Sequence, residues 1–265
     1  MKEIKIGSQI WSAENLDTGF FRNGDKIHEA STFREWVQAG NNKQPAYCFP
    51  RNEYNSGYGR LYNSYALLDP RGLEYDDTKW RLPYTDDWKR LENFLGEKLA
   101  GLRLKANNSW SGHSCSTDIS CPNCKGWVQE YRNKVPCHRC FDKRIISIDC
   151  NDNSLNGNED FYTASGFNAY PIGKRIYLPE KFFGSLAEGL NYQTYEREGL
   201  EAAWWALDND IIEKSTFTGM IKNKIGINPC RKINIEIFNS TINISDLFSG
   251  DKKNGYSVRL IQYYY

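Results

Sequence analysis

The stretch Trp80-Arg81-Leu82-Pro83-Tyr84-Thr85-Asp86-Asp87-Trp88 decides how this chain is read. Pro83 has no backbone N–H to give to a ladder, so it ends any strand that precedes it. Thr85 is a helix-capping residue type, and Asp86 and Asp87 fall in the first turn, where the helix dipole favours negative charge. Trp88, Leu91, Leu95 and Leu99 then recur at i, i+3, i+7 and i+11, one apolar stripe. The spacing predicts a short strand that turns at Pro83 into an amphipathic helix from Thr85 to Lys98 or Leu99.

Working outward, Thr32-Phe33-Arg34-Glu35 is a capping box, with Trp36 and Val37 behind it and Gly40 as the stop. It predicts a second, shorter helix. Ile4, Ile6 and Ile10-Trp11 read as a first strand punctuated by Gly7, and residues 41–60, rich in Asn, Gly and Pro, read as loop. Downstream, Ile145, Ile146 and Ile148 mark a strand. Ile233, Ile235 and Ile237 alternate with polar residues, and Asn239-Ser240 would turn them back into Ile242 and Ile244 as a hairpin. Tyr256, Val258, Leu260 and Gln262 read as a closing strand. Two helices with many short strands and long loops make an α+β domain.

The bulk numbers exclude some classes of function. A compact chain of 265 residues buries about three-quarters of its unfolded surface and needs no staples to fold. A net charge of +1 lacks the basic surplus that nonspecific nucleic-acid binding requires, so nucleic acid is not an expected partner. No run of apolar residues is long enough to span a membrane. Met1-Lys2-Glu3-Ile4-Lys5-Ile6 has no apolar segment of the secretory type, so synthesis in the cytoplasm without a signal peptide, with a virion or cell surface as destination, is the expectation. Aromatic residues reach 14%, with 17 Tyr and 8 Trp, and such side chains serve both cores and binding faces.

Six of the eight cysteines fall between Cys115 and Cys150. Four form the pairs Cys121-Pro122-Asn123-Cys124 and Cys137-His138-Arg139-Cys140, 12 residues apart. Each Cys-x2-Cys turn presents two thiolates to one ion, and two such turns at the base of a hairpin supply the four tetrahedral ligands zinc prefers. Cys121, Cys124, Cys137 and Cys140 are therefore expected to hold one structural Zn2+, with Trp127, Val128 and Tyr131 in the hairpin and Arg132-Asn133 at its turn. Two disulfides in a secreted protein are the alternative. His113 and His138 are spare ligand types, Cys115 and Cys150 bracket the insert, and Cys48 and Cys230 read as plain buried thiols. Lys125, Arg132, Lys134, Arg139, Lys143 and Arg144 surround the pairs, which leaves open a contact with phosphate backed by Trp127 and Tyr131.

Several blocks together resemble one family, the Fibrobacter succinogenes major paralogous domain. They are Ile6-Gly7-Ser8-Gln9-Ile10-Trp11, Glu14-Asn15-Leu16-Asp17, Pro45-Ala46-Tyr47-Cys48, Tyr58-Gly59-Arg60-Leu61-Tyr62-Asn63 and Asp69-Pro70-Arg71-Gly72-Leu73. Trp80-Arg81-Leu82-Pro83 with Asp87-Trp88 and Leu91-Glu92 follows, then Leu104-Lys105 and Trp110. Gly166-Phe167-Asn168-Ala169-Tyr170-Pro171-Ile172-Gly173-Lys174-Arg175, Trp204-Trp205 and Gly255-Tyr256-Ser257-Val258-Arg259 complete the set. The resemblance implies a relative of the C-type lectin-like fold, which also hosts formylglycine-generating enzymes and variable receptor-binding proteins. It implies that the first and last strands pair. It divides the chain into a domain made of 1–110 and 151–265 and a zinc-ribbon-like insert at 111–150. Where the family has Trp-Trp-Ser, this chain has Trp204-Trp205-Ala206.

The functional expectation is a non-catalytic binding module that recognises a protein or glycan, in a phage-virion or bacterial-surface setting. Serine-hydrolase, zincin, P-loop and dinucleotide motifs are absent, and three histidines leave little material for general-base work. Weak contact candidates are Tyr192, Tyr195, Trp204, Trp205, Asp208 and Asn209, then Trp127 and Tyr131 at the insert tip, because Tyr, Asn and Ser make adaptable contact surfaces. Asp208 with Asp210 is also a possible cation pair, though the calcium–sugar tripeptides of true lectins are missing. A degenerate formylglycine-generating-like oxidase using Cys230, or a nucleic-acid-binding regulator acting through the ribbon, are the alternatives.

Overall fold

The computed structural model describes residues 1–50, 57–97, 100–106, 117–120, 145–148, 165–178, 195–208, 230–236, 242–245 and 251–263. The elements in chain order are β1 (Glu3–Ile6), β2 (Gln9–Ser12), β3 (His28–Glu29), α1 (Phe33–Asn41), β4 (Ala46–Cys48), β5 (Leu61–Tyr62) and α2 (Ser64–Leu67). Then come β6 (Trp80–Arg81), α3 (Thr85–Leu95), α4 (Ala100–Leu104), β7 (Thr117–Ser120), β8 (Ile145–Ile148), β9 (Lys174–Arg175) and β10 (Tyr195–Glu196). The chain closes with β11 (Glu201–Leu207), β12 (Cys230–Glu236), β13 (Asn243–Ser245) and β14 (Ile261–Gln262). The molecule is a mixed α/β protein with few helices and several small, mostly antiparallel sheets.

The N-terminal strand expectation resolves into a hairpin. β1 and β2 pair from Glu3–Ser12 to Ile6–Gln9 across a two-residue turn in which Gly7 takes φ 59°. A side chain there would be strained by that φ, and its Cβ would come within 2.7 Å of the Phe94 ring. β14 lies beside β2, with Ile261 opposite Trp11, and β6 lies beyond it, giving the order β1-β2-β14-β6. The two ends of the chain are thus neighbours in one sheet. Little of 256–262 is regular strand, however. Gly255, Tyr256 and Ser257 make single bridges to Arg175, Tyr62 and Trp204, so the segment threads between three other pieces before it joins β14.

The segment that opened the reading behaves as expected up to its caps. β6 ends at Pro83, and α3 starts at Thr85 with Tyr84, not Thr85, at the cap position. The Asp87 carboxylate accepts from Tyr84 N at 2.7 Å and from the Arg81 guanidinium at 2.6 and 2.9 Å. The helix stops at Leu95 because Gly96 takes φ 84°, and Ala100–Leu104 forms a separate turn of helix. Trp88, Leu91 and Leu95 are the buried part of the stripe, while Leu99 lies outside the described residues. In α1 the box is complete: Thr32 Oγ1 accepts from Glu35 N at 3.2 Å, and Glu35 Oε2 accepts from Thr32 N at 2.9 Å.

Residues 41–60 are not all loop. Ala46–Cys48 is the middle strand of a β3-β4-β5 sheet, parallel to β3 and antiparallel to β5. Its partners come from outside the local sequence, and Asn63 Oδ1 accepts from Ala46 N at 3.1 Å to extend the pairing. Ile233 and Ile235 lie on β12 as expected, and Ile237 lies outside the described residues. β12 pairs with β11 and β13, Ile233 faces Ile244, and the turn at Asn239-Ser240 lies outside the described residues.

The core is aromatic. Trp11, Trp88, Phe167 and Trp204 pack together with ring centroids between 4.9 and 5.8 Å apart, in tilted or edge-on contacts. A second cluster gathers Tyr62, Trp80, Trp205 and Tyr256, and a third gathers Trp36, Cys48, Leu61 and Ile172.

Candidate functional site: a tyrosine-lined face

Strand alternation sends β11 side chains to two different cores. Trp204 faces the first cluster and Trp205 the second, at 1% and 0% exposure. The Trp204 indole donates to Asn15 Oδ1 at 2.9 Å and the Trp205 indole to Tyr62 O at 2.6 Å. These two residues therefore offer a ligand no surface, which corrects the expectation that they touch one. Asp208 is mostly covered and pairs with Arg231 at 2.5 Å. Tyr192, Asn209, Asp210, Trp127 and Tyr131 lie outside the described residues, as do Cys121, Cys124, Cys137 and Cys140. Among the described residues no group of three or more His, Cys, Asp or Glu is arranged to hold a metal.

Tyr195 opens β10, at the start of the described segment 195–208. Its hydroxyl donates to Phe49 O at 2.8 Å, and the Arg175 guanidinium lies 4.3 Å from its ring centroid. Burial, then the nearby Cys48 thiol, pushes its phenol well above the ordinary range. Around it the structure gathers tyrosines that the sequence reading did not single out as contacts. Tyr170, Tyr177 and Tyr195 all pack on the third core cluster. Tyr170 stacks at 5.0 Å and 50° on Tyr58, which is 39% exposed. Tyr177 carries Lys253 Nζ over its ring at 4.1 Å and donates to Asn41 Oδ1. Arg60 lies over Tyr47 and Phe49, at 4.3 and 4.8 Å, and pairs with Asp17 at 2.6 Å.

These tyrosines mark where the chain departs into its long connections. Tyr58 follows 51–56, Tyr170 follows 107–164, and Tyr177 and Tyr195 flank 179–194. The ends of the largest connection are tied together, since Ala106 N donates to Ala169 O at 3.1 Å and Ser165 N to Arg103 O at 3.3 Å. Within it β7 and β8 pair so that Ser120 faces Ile145, which brings the start and end of the four-cysteine stretch side by side.

Beneath the face sits a polar hub. Arg259, 1% exposed, donates to Asn15 Oδ1 at 2.8 Å, Ser12 O at 2.8 Å and Asn168 O at 3.2 Å, with Phe167 under its guanidinium at 4.4 Å. Burial lowers its pKa to about 9. Asn15 completes the hub by donating to Tyr58 O at 2.9 Å. A second buried charge, Glu201 on β11, is met by Lys232, Arg197 and Lys174 at 3.1 to 3.3 Å and fixes the 197–201 turn. Both thiols among the described residues are unreactive by position. Cys48 and Cys230 are buried thiols, and burial raises them to about 11 and about 12.

A family model for the Fibrobacter succinogenes major domain matches residues 4–262. The chain belongs to this family. The match runs from the first strand of the hairpin to β14, so the family unit includes the whole four-stranded sheet, the aromatic core and the tyrosine face. No curated protein and no solved structure matches the chain. In this Fibrobacter succinogenes major domain the Tyr58 and Tyr170 blocks, and Asn15, were present in the sequence signature. What sequence could not reveal is that tertiary packing brings those blocks together over Arg259.

Proposed function

We propose that this Fibrobacter succinogenes major domain is a non-catalytic recognition module that binds a protein or glycan through its tyrosine-lined face. The observation that carries the reading is the gathering of Tyr170, Tyr177 and Tyr195 on the third core cluster, with the exposed Tyr58 stacked on Tyr170. A cross-braced body that presents aromatic rings on its surface is an arrangement recognition modules use. The pairing of the last strand, β14, with β2 of the N-terminal hairpin supports kinship with the C-type lectin-like fold. The zinc-ribbon-like insert on Cys121, Cys124, Cys137 and Cys140 would serve as a structural staple. A virion or bacterial-surface setting fits a cytoplasmically loaded zinc. The oxidase alternative finds little support, because Cys230 is buried with its thiol raised and pairs opposite Leu207 in a continuous ladder.

The test is retention of the immobilised full chain on purified bacterial envelopes, with and without prior protease or periodate treatment of the envelope. Specific retention is expected, and it should fall in the double variant Tyr58→Ala/Tyr195→Ala. Retention equal to that of an unrelated protein of similar charge, or retention indifferent to the double variant, would sink the reading.

A further inference from the structure

Resting on that reading, we infer that Tyr58 and Tyr170 form a stacking subsite for a pyranose ring of an uncharged glycan. The pair is held in place from below. Asn15 Nδ2 donates to Tyr58 O, and Gly59 at φ 75° packs so closely that a Cβ would lie 2.8 Å from Leu16 O. Tyr170 is anchored by Pro171 and Ile172, with Pro171 O accepting from Gly199 N at 2.7 Å. The rings therefore keep their tilt without a ligand, which reduces the ordering cost of binding.

The hydroxyls separate this pair from the other tyrosines of the face. Tyr47, Tyr177 and Tyr195 spend theirs on Glu29, Asn41 and Phe49 O. Tyr58 and Tyr170 hydroxyls have no partner among the described residues. A pyranose presents an apolar face of polarised C–H groups to the negative face of a ring, and a rim of hydroxyls that both donate and accept. Two tilted phenols whose hydroxyls make no hydrogen bond among the described residues can supply both.

Charge and exposure favour a sugar over a protein partner or a charged one. The ionised groups at the edge are already matched, Glu14 with Lys2 at 3.1 Å and Asp17 with Arg60 at 2.6 Å. The hub cation Arg259 directs its bonds inward to Asn15, Ser12 and Asn168. Tyr58 is the one large exposed apolar side chain on this face among the described residues, the others being Met1, Phe20, Leu68, Phe94 and Tyr263. Among the described residues this face thus offers no cluster of exposed apolar side chains of the kind that anchors a protein hot spot.

The experiment is calorimetric titration of the full chain with cellohexaose, xylohexaose, mannohexaose and chitohexaose. At least one should bind, with affinity reduced about tenfold or more by Tyr58→Ala and by Tyr170→Ala, and preserved in Phe94→Ala. Near-ultraviolet circular dichroism checks that each variant keeps its aromatic core. Binding unchanged in folded Tyr58→Ala, or no binding of any of the four by the wild type, overturns the subsite. Envelope retention that resists periodate and is abolished by protease would overturn the sugar assignment while leaving the recognition module standing.

Discussion

At Asp87 a single carboxylate, 1% exposed, closes the first turn of α3 and clamps the strand before it. Removing it leaves Tyr84 N–H and the Arg81 fork without this acceptor in a mostly covered site. Asp87→Ala is therefore expected to cost about 3–5 kcal/mol in urea unfolding, with Asp87→Asn milder because one acceptor oxygen remains. The Thr32–Glu35 box works on a smaller scale. Thr32→Ala is expected to cost about 1 kcal/mol. The backbone N–H of Thr32 holds the Glu35 carboxyl below its usual range. A lowered folded pKa means that the contribution is fully present above the unfolded value and fades as pH falls through the folded one. Stability curves of wild type and Glu35→Gln should therefore draw together as pH falls below the ordinary glutamate range and through the lowered folded value. Curves that stay parallel there would refute this account of the cap.

Among elements, the connection 107–164 is tied at its base by Ala106 N to Ala169 O and Ser165 N to Arg103 O. An excursion whose ends already meet is replaceable at small loop-closure cost. Substituting 107–164 by a short Gly-Ser linker is expected to leave a cooperative thermal transition and the near-ultraviolet signature of Trp11, Trp88 and Trp204. Loss of the transition would mean that the insert carries part of the core. The metal has its own readout: elemental analysis of the full chain is expected to find about one zinc, from the four thiolate ligands. Metal-free protein with disulfides among Cys121, Cys124, Cys137 and Cys140 would overturn it.

For the whole molecule, the last residues are structural, not ornamental. Ser12 N donates to Leu260 O, Leu16 N to Val258 O and Trp205 N to Ser257 O, while Ile261 sits between β2 and β6. Tyr256, Val258 and Leu260 are fully buried in the second core cluster. Truncation after Asn254 is expected to abolish cooperative unfolding, whereas removing only Tyr264 and Tyr265 should leave the melting temperature within a few degrees, as for surface changes worth about 0.5 kcal/mol. A cooperative transition in the longer truncation would show that the two-ended sheet is dispensable.

What was legible in the sequence was whatever local periodicity and local chemistry control. The α1 capping box, the Trp88-Leu91-Leu95 stripe, the alternating isoleucines of β12 and the buried state of Cys48 and Cys230 could be read from neighbours three or four residues away. Family membership was legible too, because ordered blocks survive insertion of foreign segments between them. Tertiary structure alone decided the partners of Ala46–Cys48, the true cap of α3, the burial of Trp204 and Trp205, and the meeting of Tyr58 with Tyr170. Each of those depends on groups that are distant in the chain. A Tyr or Trp has the same composition signature in a core as on a binding face. Only packing tells which rings the water reaches.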